Sequence, residues 1–195
     1  MKKSIVAVAL AFLLTTSLCA QDMSVDLGQN GPALHMPFGD TMVKVEPAFE
    51  DYAFMVTDVC DAMSLTTEEC LIYPMNGTLG GNAIATVLDG NRIIVYDREL
   101  SKIVGGDGAE MIIAHEVAHH FCGHIGTVAV PQQELDADRF AGSAMRRMGR
   151  SLPSALSAIP IFDRRPSMSH PDKATRIKAI TEGWNNPGSG KSCRS

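Results

Sequence analysis

The apolar positions of the chain fall into runs that predict both strands and helices. The clearest β pattern consists of two short β-rich runs, 83–88 and 92–96, on either side of an Asp-Gly-Asn turn at 89–91. Two such runs around an Asp-Gly turn predict a β-hairpin. A shorter apolar run, Leu71 to Tyr73, predicts one more strand immediately before Pro74.

Helices are predicted on both sides of this hairpin. Pro47 opens the first one, in which Phe49, Val56 and Val59 belong to an apolar stripe of helical spacing. The second begins at Asp107, where an acidic residue three positions later completes a capping-box pattern. The predicted bounds are 47–63, 107–121, 131–147 and 171–184, with a short helix around Ala155.

The first twenty residues have the layout of a secretory signal peptide. Two lysines precede an apolar run at 5–14, and small or polar residues then lead to Cys19 and Ala20. We therefore expect export and cleavage after Ala20. The apolar run of about ten residues is too short to cross a bilayer, and no other segment is expected to be transmembrane. Lipid anchoring is not expected, because Leu18 stands where a lipoprotein signal has a small residue.

The remaining chain is expected to form one domain. Residues 21–46 are polar and aperiodic, and they predict an extended lead-in. Residues 47–184 predict a single α+β domain with a short sheet and a pair of central helices. Residues 185–195 are rich in Gly, Ser and Pro and predict a flexible tail.

Composition narrows the classes of function. The 195 residues are 45% hydrophobic and 20% charged, as in ordinary globular proteins. The formal charge of −5 argues against broad nucleic-acid binding, which requires lysines and arginines clustered on one face.

Export changes the interpretation of the cysteines. Cys60, Cys70, Cys122 and Cys193 remain after the signal, an even number in an oxidising compartment. A local bridge between Cys60 and Cys70 is expected, and Cys122–Cys193 would then attach the tail to a helix. The alternative is that Cys122 is a buried thiol.

The main chemical motif is His115-Glu116-Val117-Ala118-His119, which falls inside a predicted helix. Positions i and i+4 share one helix face, so both imidazoles can bind the same metal ion. Glu116 lies beside them and is placed to accept a proton from water. This H-E-x-x-H pattern predicts a metal-dependent hydrolase.

The next helix offers the missing third ligand. Glu134 and Asp138 are four residues apart and share a face, whereas Asp136 points elsewhere. Glu134 is the candidate ligand, and Asp138 would hold the distal nitrogen of a ligating histidine. Two histidines and one carboxylate, with a fourth position open for water, favour catalytic zinc, one ion per chain.

Three other histidines are not expected to bind this metal ion. His124 is the rival third ligand, but on a continuous helix it would lie about 140° from His119 and could not reach the same metal. His120 is expected to pack or hydrogen-bond nearby, and His35 to be exposed.

These motifs together resemble a known family. The H-E-x-x-H helix with His124, the Glu134-x-x-Ala137-Asp138 segment, Ser169-His170-Pro171 with Arg176-Ile177, and Asn82-Ala83-Ile84-Ala85 are similar to the zinc metallopeptidases of the HtpX and CAAX-prenyl-protease group, metallopeptidase family forty-eight. The resemblance covers about residues 47–183. Many relatives carry transmembrane helices or large accessory domains, which this chain is not expected to have.

The resemblance implies a zincin-like (gluzincin) fold with zinc on His115, His119 and Glu134 and with Glu116 as the general base. It also implies that the strand containing Asn82, Ala83 and Ala85 pairs with extended substrate. By the same resemblance, His170 is a candidate donor to the oxyanion and Arg176 orients the Asp and Glu side chains. The alternative for His170 is a residue that only precedes the helix at Pro171.

The sequence thus predicts an exported, periplasmic or secreted zinc endopeptidase that cleaves extended or unfolded polypeptides. The alternatives are a non-proteolytic zinc-binding or chaperone-like protein of the cell envelope and a disulfide-stapled domain without metal. Glu116 argues against the first alternative, because a purely structural zinc site does not need it. The second alternative leaves two histidines and two acids at matched helical spacings unexplained. The sequence leaves open the natural substrate, the cleavage preference, the oligomeric state, peripheral association with the envelope, and whether residues 21–46 inhibit the site.

Overall fold

A computed structural model describes residues 34–49, 51–127, 130–162 and 170–194. The expected signal peptide, its cleavage site and the first part of the lead-in, 21–33, lie outside the described residues. The described residues belong to one unit, Ala33–Ser195. They form a mixed α+β fold, as the sequence predicts.

A five-stranded sheet forms one layer of the fold, and its strand order is β1-β2-β3-β5-β4. Neighbouring strands are antiparallel except for the parallel pair β3 and β5. This order leaves β4 at an edge. The strands are β1 Leu34–Phe38, β2 Thr41–Pro47, β3 Tyr73–Gly77, β4 Ala83–Leu88 and β5 Asn91–Tyr96.

The β4–β5 hairpin confirms its sequence pattern. Asp89 and Gly90 have φ values of 49° and 79°, so the two-residue turn has the left-handed backbone that suits a tight hairpin. Along β5, Ile94 and Tyr96 pack in the core next to the helices, whereas Ile93 and Val95 belong to a second apolar cluster. The strand is therefore buried on both faces.

The lead-in prediction is wrong for residues 34–46, which form most of the β1–β2 hairpin. Met36 and Val45 are buried in the second apolar cluster together with Met75 of β3. The hairpin belongs to the sheet because Val45 pairs with Gly77. The glycines and prolines of this segment are typical of loops, and its strands become evident only through the pairing of β2 with β3.

Two neighbouring bounds also change. Pro47 ends β2, and the first helix, α1, spans Asp51–Ala62 rather than 47–63. The strand expected at 71–73 lies instead at 73–77, with Pro74 as its second residue. Pro74 is accommodated because pairing with β2 begins only at Met75.

The second helix, α2, spans Arg98–Cys122 and begins earlier than predicted. Its N-cap is Asp97, whose carboxylate accepts the Glu99 N–H, and not Asp107. Gly105, just before the predicted start at Asp107, has φ 69° and ψ −176° and kinks the helix. The segment after the kink corresponds to the helix predicted at 107–121 and carries the H-E-x-x-H motif.

The remaining helices follow the sequence closely. They are α3 Pro131–Arg147, α4 Leu152–Ala155 and α5 Lys173–Asn185, and two 3-10 helices that were not predicted, Ile159–Ile161 and Ser189–Arg194, accompany them. The prediction of a flexible tail at 185–195 is wrong, because residues 189–194 form a 3-10 helix that packs Gly190 against Ser143 of α3. No helix among the described residues is long and apolar enough to cross a membrane.

Both expected disulfides are present, Cys60–Cys70 and Cys122–Cys193. The second attaches the C-terminal 3-10 helix to the end of α2, which explains why the tail is ordered there. Two disulfides fit the export that the sequence predicts.

Candidate metal centre

The candidate centre lies between α2 and α3. His115, Glu116 and His119 lie on α2 beyond the kink, and Glu134 and Asp138 lie in the first turns of α3. The i, i+4 spacing turns both histidines and both acids toward the interface of the two helices. Apart from His119, which is half-buried, these side chains are buried.

Three side chains converge on one point. His115 Nε2 lies 3.0 Å from His119 Nε2, and Glu134 lies 3.4 Å from the first and 3.5 Å from the second. A tetrahedral zinc ion with bonds of about 2.0–2.1 Å separates its ligand atoms by about 3.3–3.4 Å. The three side chains could therefore hold a metal ion.

Charge is concentrated at this point. Burial alone lowers the pKa of His115, but the carboxylates of Asp138 and Glu134 outweigh it and raise the pKa to about 10. Burial raises the pKa of Glu134, but His115, His119 and Arg176 hold it well below its usual range. Burial and the neighbouring His115 lower the pKa of His119 to about 3. A proton on His115 can thus balance the negative charge of Glu134, and a metal ion at the same place could do so instead.

Asp138 lies directly behind His115, as the sequence predicts. Its Oδ1 is 2.9 Å from His115 Nδ1, and the residue is 0% exposed. Arg176 donates to both oxygens of Asp138 at 2.8 Å, and its Nη2 is 3.7 Å from Glu134. The guanidinium also stacks 4.0 Å over the ring of Phe162, a contact with no signal in the sequence. The predicted orienting role of Arg176 thus has a matching geometry.

Glu116 is held beside the three donors. The residue is 8% exposed, and its Oε2 accepts the Ala85 N–H of β4 at 2.7 Å. Burial raises the pKa of its carboxyl group. A carboxylate in this position can exchange a proton with a group in the adjacent cleft.

A cleft of about 740 Å³ runs from the donors along the edge of β4. The predicted strand residues Asn82, Ala83 and Ala85 all line it. Ala83 N–H donates to Asn82 Oδ1 at 2.9 Å, and Ala85 N–H donates to Glu116. Both amides therefore point away from β5, toward the cleft.

His170 is brought to the same cleft from the other end of the chain. Its Nε2 lies 3.8 Å from Glu134 Oε2, and its side chain is 52% exposed. The sequence could not make this placement, since 36 positions separate the two residues. Ser169, named with His170 in the resemblance, lies outside the described residues.

The other histidines divide into two confirmed predictions and one correction. His120 Nε2 lies 2.9 Å from the Ile93 carbonyl, and His35 is exposed. His124 was expected far from His119, yet its Nδ1 is 3.0 Å from His119 Nδ1. The expectation assumed a continuous helix, whereas α2 ends at Cys122 and Gly123 turns the chain back. Asp136 points away as predicted, toward Gln132 and Arg139.

Comparisons with protein-family models, with curated proteins and with solved structures found no match to this chain. The described geometry therefore carries the functional proposal together with the motifs.

Proposed function

We propose that the protein is an exported zinc-dependent endopeptidase that hydrolyses peptide bonds in extended or unfolded polypeptides. The observation that carries the proposal is the position of Glu116. This buried carboxylate lies between three convergent donor side chains and an open sheet edge, all in one cleft. We further propose that the fold is zincin-like, in line with the resemblance of its motifs.

His115, His119 and Glu134 would hold the ion, because two nitrogens and one carboxylate oxygen suit zinc. When bound, zinc supplies Lewis acidity that polarises a carbonyl oxygen and lowers the pKa of water. Asp138 keeps His115 oriented, and Arg176 neutralises the two buried carboxylates of α3, Glu134 and Asp138.

Glu116 is the general base of the proposal. Ala85 N–H occupies Oε2, so we assign proton transfer to Oε1. Oε1 accepts a proton from the attacking water and then delivers it to the leaving amine nitrogen as the peptide bond breaks. The buried surroundings that raise its pKa favour this second, acidic role.

An extended polypeptide would bind along β4, because β4 is an edge strand that lines the cleft. Main-chain pairing of this kind depends on backbone shape more than on one side chain. His170 lies at the mouth of the donor cluster and is the candidate donor to the oxyanion.

The experiment compares the protein from Gln21 onward with its Glu116→Gln and Glu99→Gln variants. Zinc content and cleavage of unfolded casein are measured for each. We expect about one zinc per chain in all three proteins, with cleavage lost only in Glu116→Gln. Glu99 is the matched control, an exposed acid on the same helix that pairs with Lys102.

Cleavage that survives in Glu116→Gln would contradict the assigned base. Zinc bound at one per chain without cleavage by any of the three would favour the non-proteolytic, zinc-binding alternative. Absence of zinc from the unaltered protein would contradict the metal centre itself.

A further inference from the structure

The helix that carries the histidine donors, α2, ends in a Schellman motif, and this motif includes His124. Gly123 has φ 73° and ψ 31°, the left-handed backbone of a helix end. His124 N–H donates to the His119 carbonyl at 3.0 Å, and Gly123 N–H donates to the His120 carbonyl at 3.4 Å. These are the two hydrogen bonds that define the motif.

In a Schellman motif, the residue after the glycine folds back over the residue five positions earlier. An apolar pair commonly fills these two positions, but here both are histidines, His119 and His124. Their rings meet edge to face with centroids 5.2 Å apart, and their Nδ1 atoms are 3.0 Å apart. At that distance, one Nδ1 carries the proton and the other accepts it.

The chain beyond His124 is held as well. Thr127 donates its hydroxyl to the His124 carbonyl at 2.7 Å, and Gln133 Nε2 donates to that hydroxyl oxygen at 2.8 Å. Gln133 immediately precedes Glu134, so these bonds connect the end of α2 to the acidic donor on α3. On the other side, the Cys122–Cys193 disulfide fixes the last residue of α2.

We propose that His124 is a positioning residue for His119, a role that neither the sequence motif nor the proposed mechanism assigns. A ligating Nε2 carries no proton, so the neutral imidazole of His119 must be protonated at Nδ1. His124 Nδ1 accepts that proton, which fixes both the tautomer and the direction of the ring. Asp138 has the corresponding place behind His115.

His124 is not itself a ligand in this arrangement. Its Nδ1 faces His119 Nδ1, whereas the donor cluster lies at His119 Nε2, on another edge of the same ring. The inference rests on the proposed metal centre but not on peptidase activity.

The test compares His124→Phe with His124→Asn in the full mature chain. Phenylalanine keeps a ring but has no acceptor, whereas the Asn Oδ1 stands close to the place of Nδ1 and can accept the same proton. His35→Phe is the control, because His35 is an exposed histidine on β1. Zinc affinity is measured by competition with a chromogenic chelator.

We expect His124→Phe to bind zinc about 10–100-fold more weakly, as after loss of other groups that support metal ligands. His124→Asn should stay within about threefold of the unaltered protein, and His35→Phe should not change. Nitrogen-15 spectra of the zinc-loaded protein should show the His119 proton on Nδ1. The cobalt-substituted protein should change its visible spectrum only in the Phe variant.

Equal affinity in His124→Phe and the unaltered protein would overturn the inference, as would equal losses in the Phe and Asn variants. If the unaltered protein binds zinc but cleaves nothing, the peptidase proposal fails while the Phe and Asn comparison still decides the role of His124. If the unaltered protein binds no zinc, both proposals fall.

Discussion

His115, His119 and Glu134 bring three electron-rich atoms within contact distance, and such an arrangement needs a positive charge among them. Without a metal ion, a proton on His115 can supply it, because the carboxylates of Asp138 and Glu134 raise the pKa of that histidine to about 10. Metal ligands must lose their protons when the metal binds. Zinc would therefore replace this proton. The side chains that contact each ligand from behind then determine how tightly the ligand binds the metal.

Asp138→Asn tests this at the level of one side chain. The change removes the negative charge behind His115 and deprives Arg176 of its nearer carboxylate partner. We expect about 10–100-fold weaker zinc binding, measured by chelator competition. Asp136→Asn on the same helix should change the affinity by less than about threefold, since Asp136 contacts Gln132 and Arg139 instead. Equal losses in both variants would contradict a specific role for Asp138.

The donors themselves could be predicted from the sequence, because helical periodicity alone places His115 with His119 and Glu134 with Asp138 on common faces. The neighbour of His119 could not be predicted in this way. His124 reaches it only because Gly123 adopts a left-handed backbone, so the helical wheel no longer applies beyond Cys122. The available signal was Gly123 itself, because a glycine after a helix commonly adopts the left-handed backbone that turns the chain back.

At the scale of elements, α3 and α5 approach each other through glycines. A Cβ on Gly142 would lie 2.1 Å from the Ile180 carbonyl oxygen, and one on Gly183 would lie 2.0 Å from the Arg139 carbonyl oxygen. These neighbours are backbone atoms, which cannot move aside as the end of a flexible side chain can. This contact holds Arg176 of α5 within reach of Asp138 of α3.

Gly142→Ala should therefore separate the two helices. We expect the free energy of unfolding to fall by about 1–3 kcal/mol, as in other overpacked interiors, with weaker zinc binding as a consequence. Urea denaturation measures the first effect. Gly106→Ala is the control, because a Cβ there meets nothing within 4 Å and alanine favours the helix. Equal stability of Gly142→Ala and the unaltered protein would contradict this view of the contact.

Asp97 joins the start of α2 to the loop before β4. Its carboxylate accepts the N–H groups of Leu79, Gly81 and Glu99. Burial alone raises the pKa of Asp97, but these hydrogen bonds outweigh it and lower the pKa below 3.8. A carboxyl group with a lowered pKa stabilises the folded state above its unfolded pKa and loses this effect as the pH falls.

Asp97→Asn should lower the free energy of unfolding at pH 7 by about 1–2 kcal/mol, because the amide supports fewer of these bonds. The difference in the free energy of unfolding between the variant and the unaltered protein should become smaller as the pH falls below about 4. Urea denaturation at a series of pH values measures it. Asp107→Asn, an exposed change on the same helix, should have little effect. A stability difference that grows in acid would contradict the assignment.

Elements with local signals were predicted well, and those defined by distant partners were not. The β4–β5 hairpin has its own turn, and α3 begins at a proline and keeps its predicted bounds. The β1–β2 hairpin becomes visible as part of the sheet only through its pairing with β3. In the same way, the 3-10 helix at 189–194 depends on packing against α3, which its Gly and Ser composition does not indicate.

At the scale of the whole molecule, the two disulfides close loops of different length. Cys60–Cys70 spans 10 residues and Cys122–Cys193 spans 71. Restriction of the unfolded chain grows with loop length and corresponds to about 3 and about 4 kcal/mol, respectively. Replacing Cys122 and Cys193 together by alanine should therefore lower the free energy of unfolding more than the same change at Cys60 and Cys70. Urea denaturation of both double variants decides this, and the reverse order would contradict it.

The edge of β4 has a consequence beyond the cleft that it borders. An uncovered sheet edge offers unpaired amides to any passing strand, and it is a common starting point for aggregation. Here the Ala83 and Ala85 amides are already taken by Asn82 and Glu116. The carboxylate that we assign to catalysis therefore also keeps the Ala85 amide from pairing with an edge strand of another copy of the protein. A replacement of Glu116 that provides no acceptor for the Ala85 amide therefore carries a risk to solubility as well as to activity.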